Sequence, residues 1–393
     1  MRILFLSRWY PYPANNGSKL RINNLLQGLS EKHEVALLSF AAASEITPEM
    51  EKPLDRFAEI RVVSWKPYDP HSQRARTGLF NPMPRSFIDT FSPEMAANLE
   101  EMLATNSFDL VIASQINMAA YARYFQHIPA LFEEAEVGVL FEQYKKAVSP
   151  IKRLRYGLTW AKHRRFLRAT LAHFKATTVV SSQEEQLLAQ AVPNHPRIQV
   201  VPNGVDLTSY QDVRGNPRPN TIIFTGAFSF EPNFEAMNWF TREVFPLILA
   251  EIPEAQLTIT GNHQGRSLPS MKNVTLAGFV DDVRPLIAES WCSVVPILSG
   301  GGTRLKILEA MALRTPVVAT SKGAEGLELQ SNRDILIADQ PQEFAKTLIS
   351  LLGDPVLRQK LASNALRQVQ AKYDWPVIMP DFMKLVDQIV EPS

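Results

Sequence analysis

The stretch Pro296–Leu327, PILSGGGTRLKILEAMALRTPVVATSKGAEGL, decides the architecture of this chain. Its first apolar run reads as the end of a buried strand that closes at Ile297. Gly300, Gly301 and Gly302 then form a loop, a helix begins near Thr303, and Pro316–Thr320 reads as the next strand. A strand, a glycine turn, a helix and a second strand make a crossover unit, and crossover units build parallel sheets covered on both faces.

The same alternation extends in both directions. Ile3–Ser7 reads as a buried strand, Ile22, Leu25, Leu26 and Leu29 fall at helical spacing, and Val35–Phe40 is again a strand run. Asp109–Ala113, Thr177–Ser181 and Ile198–Val201 continue it. After the Gly/Asn/Pro stretch Gly215–Asn220 it restarts with Thr221–Gly226, Gln256–Gly261 and Cys292–Ile297. Two such runs imply an α/β fold of two doubly wound, Rossmann-like parallel-sheet domains, with the cleft between them as the expected active site. The boundary is expected near Pro202–Asn220.

Composition narrows the function. The 393 residues suit two domains, and 45% hydrophobic with 21% charged residues is globular. A net charge of +1 provides no overall field for nucleic acid, and no recognised nucleic-acid module accompanies the basic stretches. The single cysteine, Cys292, excludes an intrachain disulfide and suits a reducing cytosol. The start MRILFLSRWYPYP lacks the features of a signal peptide, so a cytoplasmic location is expected, peripheral at the inner membrane face if membrane contact occurs. No G-x-G-x-x-G follows the first strand, which disfavours an NAD enzyme.

The glycine loop carries the chemistry. Glycines let backbone N–H groups approach an anion, and the following helix supplies a favourable dipole. Arg304 and Lys306 add two cations suited to a diphosphate, and Glu309, set among apolar neighbours, suits the vicinal diol of a ribose. A second glycine turn, Gly323–Gly326, follows the next strand. The competing reading is a glycine turn capped by an ordinary amphipathic helix with Glu309 solvated.

This stretch resembles the signature of retaining glycosyltransferase family four, of GT-B fold, in the branch reading G-G-G-T-R-L-K-x-L-E-A-M-A. VVPNGVDL (200–207) resembles that family's hinge, TGAFSFEPNFEAMNWF (225–240) its first donor-domain strand and helix, and GFVDDVRPLIAES (278–290) its base-binding turn. SRWYPYPANNGSKLRINNLLQGLSEKHEVALLSF (7–40) resembles its acceptor-domain start. The resemblance implies an acceptor-binding domain over 1–200, a donor-binding domain over 201–373, and a terminal helix over 374–393 that crosses back. It implies that Glu309 binds the donor ribose and that Arg304 and Lys306 face the phosphates or sugar. Gly17 would let backbone approach the diphosphate or the acceptor, Gly300, Gly301, Gly302 and Thr303 would lie against the phosphates, and Glu325, Gly326 and Leu327 would sit near the ribose and phosphates. Phe279 and Val280 would line the base pocket, or would simply be core.

Two departures stand out. The position eight before Glu309, a glutamate in many members, is Gly301. Where many members carry a histidine in the acceptor domain, LFEEAEVG (131–138) has Ala135, and Glu133, Glu134 or Glu136 would supply a polar group; Glu133 and Glu136 enter as candidate catalytic residues. No zinc spacing and no Asp-x-Asp motif occurs, so no metal and no cofactor is expected beyond a nucleotide diphosphate sugar acting as donor substrate. The expected reaction is metal-free, retaining sugar transfer to a sugar, lipid-linked (glycolipid) or small-molecule acceptor, with polysaccharide assembly as one setting. A sugar-nucleotide 2-epimerase and a catalytically silent GT-B-like binding subunit remain as alternatives. Residues 143–175 hold ten Lys or Arg and no acidic residue, with Leu154, Leu158 and Ala161, and Leu167, Leu171 and Phe174, at helical spacing. They read either as a basic surface for anionic membrane or as a helix pair with a solvated charged face.

Overall fold

The computed structural model describes residues 1–43, 56–269, 271–302 and 304–391. The chain divides into two compact units: Met1–Pro202 together with the segment from Met379 onward, and Asn203–Ile378. The C-terminal helix Trp375–Val390 therefore contributes to both.

The first unit is built on β1 (Arg2–Ser7), β2 (Glu34–Ala42), β3 (Glu59–Trp65), β4 (Leu110–Ser114), β5 (Ala130–Glu133), β6 (Ala176–Val179) and β7 (Ile198–Val200). They form one parallel sheet in the order β3-β2-β1-β4-β5-β6-β7. Ile3, Leu4 and Phe5 are fully buried because both faces are covered by helices. The strand order reverses between β1 and β4, which pair from Ile3↔Leu110 to Ser7↔Ser114. That reversal opens a crevice at the carboxyl ends of the two strands, the place where sheets of this kind bind ligands.

The second unit repeats the plan with β8 (Arg218–Thr225), β9 (Gln256–Thr260), β10 (Val274–Gly278), β11 (Ser290–Val295), β12 (Val317–Ala319) and β13 (Leu336–Ile337). The order is β10-β9-β8-β11-β12-β13, again parallel, with its reversal between β8 and β11. Two doubly wound domains are thus present. β3, β5, β10 and β13 go beyond the strands read from apolar runs: β3, β10 and β13 are sheet edges, where one side meets solvent and the apolar run is diluted, while β5 is a buried internal strand of only four residues, too short to stand out as a run. β10 also carries a register shift between Leu276 and Gly278.

A buried ion pair ties the first unit together. Arg21, on the helix Gly17–Ser30 that follows β1, donates from Nε to Glu133 Oε1 at 2.6 Å, both side chains being at most 1% exposed. Ser114 Oγ donates to the other carboxylate oxygen at 2.5 Å, and Arg21 Nη1 reaches the carbonyls of Val201 (3.0 Å) and Pro202 (3.2 Å). One guanidinium so links the first helix, the end of β5 and the segment leaving β7. Removing one partner of such a pair strands a buried charge, which costs about 3–5 kcal/mol. Arg21→Ala is expected to lower stability by that amount in urea unfolding; a loss near 0.5 kcal/mol, the ordinary scale for a surface change, would show that the pair is not the brace described.

Candidate functional site

The glycine loop stands at the carboxyl end of β11, beside the reversal point of the second sheet. Gly300 and Gly302 have φ of 85° and 94°, a region that L side chains enter only with strain. These positions turn the chain from β11 into the helix Leu305–Ala312. Arg304 is 5% exposed and holds the turn from inside. Its Nη1 donates to Gly301 O, and its Nη2 to Gly300 O and Lys322 O, each at 3.1 Å. The guanidinium shapes the loop while leaving a cation directly behind it.

Lys306 extends toward the loop after β8. Its Nζ donates to Asn233 Oδ1 at 2.9 Å and lies 4.2 Å from the centre of the Phe224 ring. Asn233 Nδ2 in turn donates to Ala227 O at 2.9 Å. A Cβ on Gly226 would stand 2.6 Å from Asn233 Nδ2 and 2.9 Å from Lys306 Nζ, so only glycine lets these three groups meet. Burial, with Arg304 adding to it, pushes the Lys306 ammonium down to about 7 against a weaker opposing pull from Glu309.

Glu309, one helical turn further on, accepts a long hydrogen bond from Tyr210 at 3.4 Å. Burial raises its pKa, opposed by Lys306, by the Tyr210 hydrogen bond and by Arg284. The same burial and the neighbouring carboxylate raise the Tyr210 phenol. Arg284 grips Asp282 through Nε (2.8 Å) and Nη2 (2.9 Å) and lies 6.0 Å from the Tyr210 ring centre. A carboxylate with one weak partner, flanked by an amphipathic phenol and a fixed guanidinium, is equipped to accept hydrogen bonds from a diol.

Of the other expected residues, Glu325 sits 4.0 Å from Arg304 and forms an ion pair with Lys322. Gly326 takes φ 85°, and Leu327 packs against the second unit's core. Thr303 lies outside the described residues. Phe279 is 73% exposed at the end of the edge strand β10, so the alternative that it is core is corrected. Val280 follows it, half-buried. Their turn is connected toward Glu309 through Arg284.

Gly17, Glu133 and Glu136 belong to the first unit. Gly17 opens the helix capped by Asn16, whose side chain accepts from Lys19 N at 3.0 Å. Glu133 has both oxygens engaged in the core, so its carboxylate braces the unit instead of presenting itself to substrate, while Glu136 is exposed. Asn233, Tyr210 and Arg284 were not among the expected residues. Each lies inside or just beyond a stretch already singled out, but its partner is 73 to 99 residues away in the chain for the two bonds to Lys306 and Glu309. Only the folded sheet discloses those meetings.

Residues 143–175 fall mainly on the helices Gly138–Lys145 and Pro150–Leu171. Trp160, Phe166, Leu167 and Leu171 are buried, but Ile151 (82%), Leu154 (68%) and Leu158 (58%) are exposed among the basic residues. Among the described residues no helix is long and apolar enough to cross a membrane.

Residues 16–204 match the family model described as "Glycosyl transferase 4-like domain", and residues 219–354 match "Glycosyl transferases group 1". The chain belongs to the GT-B glycosyltransferases of the group 1/4 type. It is 25% identical over 174 residues to an uncharacterized 44.6 kDa protein in the cps region of Klebsiella pneumoniae, covering 42% of this chain and 45% of that one. It is 27% identical over 202 residues to a phosphatidyl-myo-inositol mannosyltransferase of Mycobacterium leprae, covering 48% and 53%. The chain thus spans about half the length of these relatives. In fold it is similar to sucrose-phosphate synthase from Thermosynechococcus elongatus, with a TM-score of 0.73 at 18% identity and full coverage of both chains. It is also similar to HepE from Anabaena in complex with UDP and glucose, with a TM-score of 0.63 at 15% identity over 99% and 100% of the chains.

The Lys306 ammonium gives a pH prediction. The unfolded chain holds this proton up to the ordinary lysine value of 10.5, the folded unit only up to about 7. Above about 7 the unfolded state therefore binds more protons, and stability rises with pH across that window. Urea unfolding of wild type and Lys306→Met should show wild type gaining on the variant from pH 7 to 10 and no further change below 7. A constant difference would mean that the lysine keeps its charge.

Proposed function

We propose that this protein transfers a hexose-type sugar from a nucleotide diphosphate sugar to a hydroxyl of a sugar, lipid-linked or small-molecule acceptor, with retention of configuration and without a metal ion. The observation that carries this reading is the convergence, at the carboxyl ends of β8 and β11, of the Gly300–Gly302 turn, Arg304, the Lys306–Asn233 pair and Glu309. Glu309 would take the ribose diol, and Phe279 and Val280 the base. The loop, Arg304 and Lys306 would take the diphosphate.

The bond from the sugar's anomeric carbon to the phosphate oxygen breaks while the acceptor oxygen bonds to that carbon on the same face. The acceptor's proton passes to the leaving phosphate. Negative charge grows on the diphosphate as that bond opens, and fixed cations and backbone N–H groups stabilise it more than they stabilise the ground state. A lysine poised near 7 becomes protonated once a phosphate lies beside it, so its charge is strengthened when the donor is bound.

The exposed apolar stripe Ile151–Leu158 supports a second element of the reading: this basic face rests on an anionic bilayer. Lipid-linked acceptors would then be met at the surface. The mycobacterial relative, a phosphatidyl-myo-inositol mannosyltransferase by name, is in keeping with that.

Thermal shifts against UDP, GDP, ADP and TDP, each with and without EDTA, test the donor site. One nucleotide at about 100 times its Kd should stabilise by roughly 2.7 kcal/mol, insensitive to EDTA and lost in Glu309→Ala. No shift with any of the four would favour a silent binding subunit, and a shift abolished by EDTA would remove metal independence. For the surface, co-sedimentation with phosphatidylglycerol vesicles but not phosphatidylcholine vesicles is expected, and Ile151→Asp/Leu154→Asp should abolish it. Equal recovery of wild type and variant would refute the membrane contact.

A further inference from the structure

Two ordinary residues in the first unit are held in a backbone conformation that suits glycine. Gln115, directly after β4, has φ 71°, and Glu134, directly after β5, has φ 60°. Such a position is strained and persists only where the surroundings over-determine it. β4 and β5 are adjacent parallel strands, and β4 flanks the reversal point of the sheet, so the pair stands on the ligand-binding edge.

The surroundings are specific. Glu134 N donates to Thr178 Oγ1 at 3.0 Å, and Ala135 N to Thr178 O at 2.9 Å. Gln115 N donates to Glu133 O at 2.8 Å. Beneath them, the Glu133 carboxylate is locked by Arg21 and Ser114. Were these turns needed only to redirect the chain, glycine would make them with less strain. What the strain secures is the meeting of two side chains: Gln115 Nε2 donates to Glu134 Oε2 at 3.1 Å. Both residues are half-buried, and Glu134 Oε1 has no hydrogen-bond partner among the described residues.

We propose that Glu134, aimed by Gln115, binds a hydroxyl of the sugar or polyol acceptor. The inference rests on the transferase reading for the word acceptor, but the polyol site stands on its own geometry. A planar carboxyl beside a planar amide offers the mixed donor and acceptor set that a vicinal diol matches. A carboxyl repels the diphosphate, which the cationic loop of the second unit is suited to hold, so the ligand at Glu134 is the uncharged polyol. Burial pushes the Glu134 carboxyl up to about 7, Glu133 and Glu136 adding to it and Arg21 and the Gln115 bond opposing. Near neutrality it therefore serves a hydroxyl both as acceptor and, when protonated, as donor.

Saturation-transfer NMR with methyl glucoside, methyl galactoside, methyl mannoside and myo-inositol tests this, in the presence of each of the four nucleotide diphosphates. Wild type is expected to bind at least one of these probes. Glu134→Ala should weaken it about tenfold or more, the scale of a lost hydrogen bond to a charged group. Glu134→Gln should weaken it less and remove any pH dependence between 6 and 8. Glu94→Gln, at an exposed carboxylate with no part in the site, should bind as wild type does, and nucleotide-induced stabilisation should be equal in all four proteins. Equal probe affinity in wild type and Glu134→Ala overturns the proposal, as does a wild type that binds none of the probes. Loss of nucleotide stabilisation in Glu134→Ala also overturns it, by revealing a general structural role. A wild type without nucleotide stabilisation, but with probe binding that depends on Glu134, upholds the polyol site and sinks the donor reading instead.

Discussion

Parallel pairing is the constraint from which the rest of this structure follows. Every named strand among the described residues pairs with its neighbours in parallel, so each connection must return along the outside of the sheet. All strands of a sheet then end at one edge, and residues scattered along the chain are delivered to a common rim. That rim gathers Gly226, Asn233 and the 300–309 segment in the second unit, and Gln115 and Glu134 in the first. The chemistry is assembled by topology before any single side chain contributes.

Burial adjusts that chemistry. Lys306 and Glu309 are both drawn toward neutrality by desolvation, although each also pulls the other toward its charged form. In this contest the loss of water outweighs the mutual attraction. Such a pair differs from a permanent salt bridge, in which mutual attraction holds both charges. Arg21 and Glu133 illustrate the other case: at 2.6 Å, with the remaining carboxylate oxygen also bonded, their charges are consumed in holding the first unit together.

Much of this was legible in the sequence. Apolar runs such as Ile3–Ser7 and Thr221–Gly226 disclosed the buried strands because a strand covered on both faces must be apolar throughout. The edge strands β3, β10 and β13 stayed hidden for the opposite reason, β10 being largely exposed along its length. In the second unit the glycine loop and the carboxylate on the following helix were visible because they lie within one short segment. In the first unit, three acidic residues in LFEEAEVG looked interchangeable, and what distinguishes them is invisible in one dimension. Glu133 points into a core built from residues 112 and 19 positions away, while Glu134 is set apart by its backbone angle.

The bulged edge strand β10 has a consequence for how the protein behaves in a crowded solution. A sheet margin offers unpaired backbone groups to any other extended chain, and a long flat margin invites fibrous stacking. Here the outermost strand of the second sheet slips register between Leu276 and Gly278, and the opposite margin, β13, is only two residues long. The irregularity beside the exposed Phe279 thus lets an aromatic side chain stand open to solvent without a straight ribbon beside it on which a second molecule could grow.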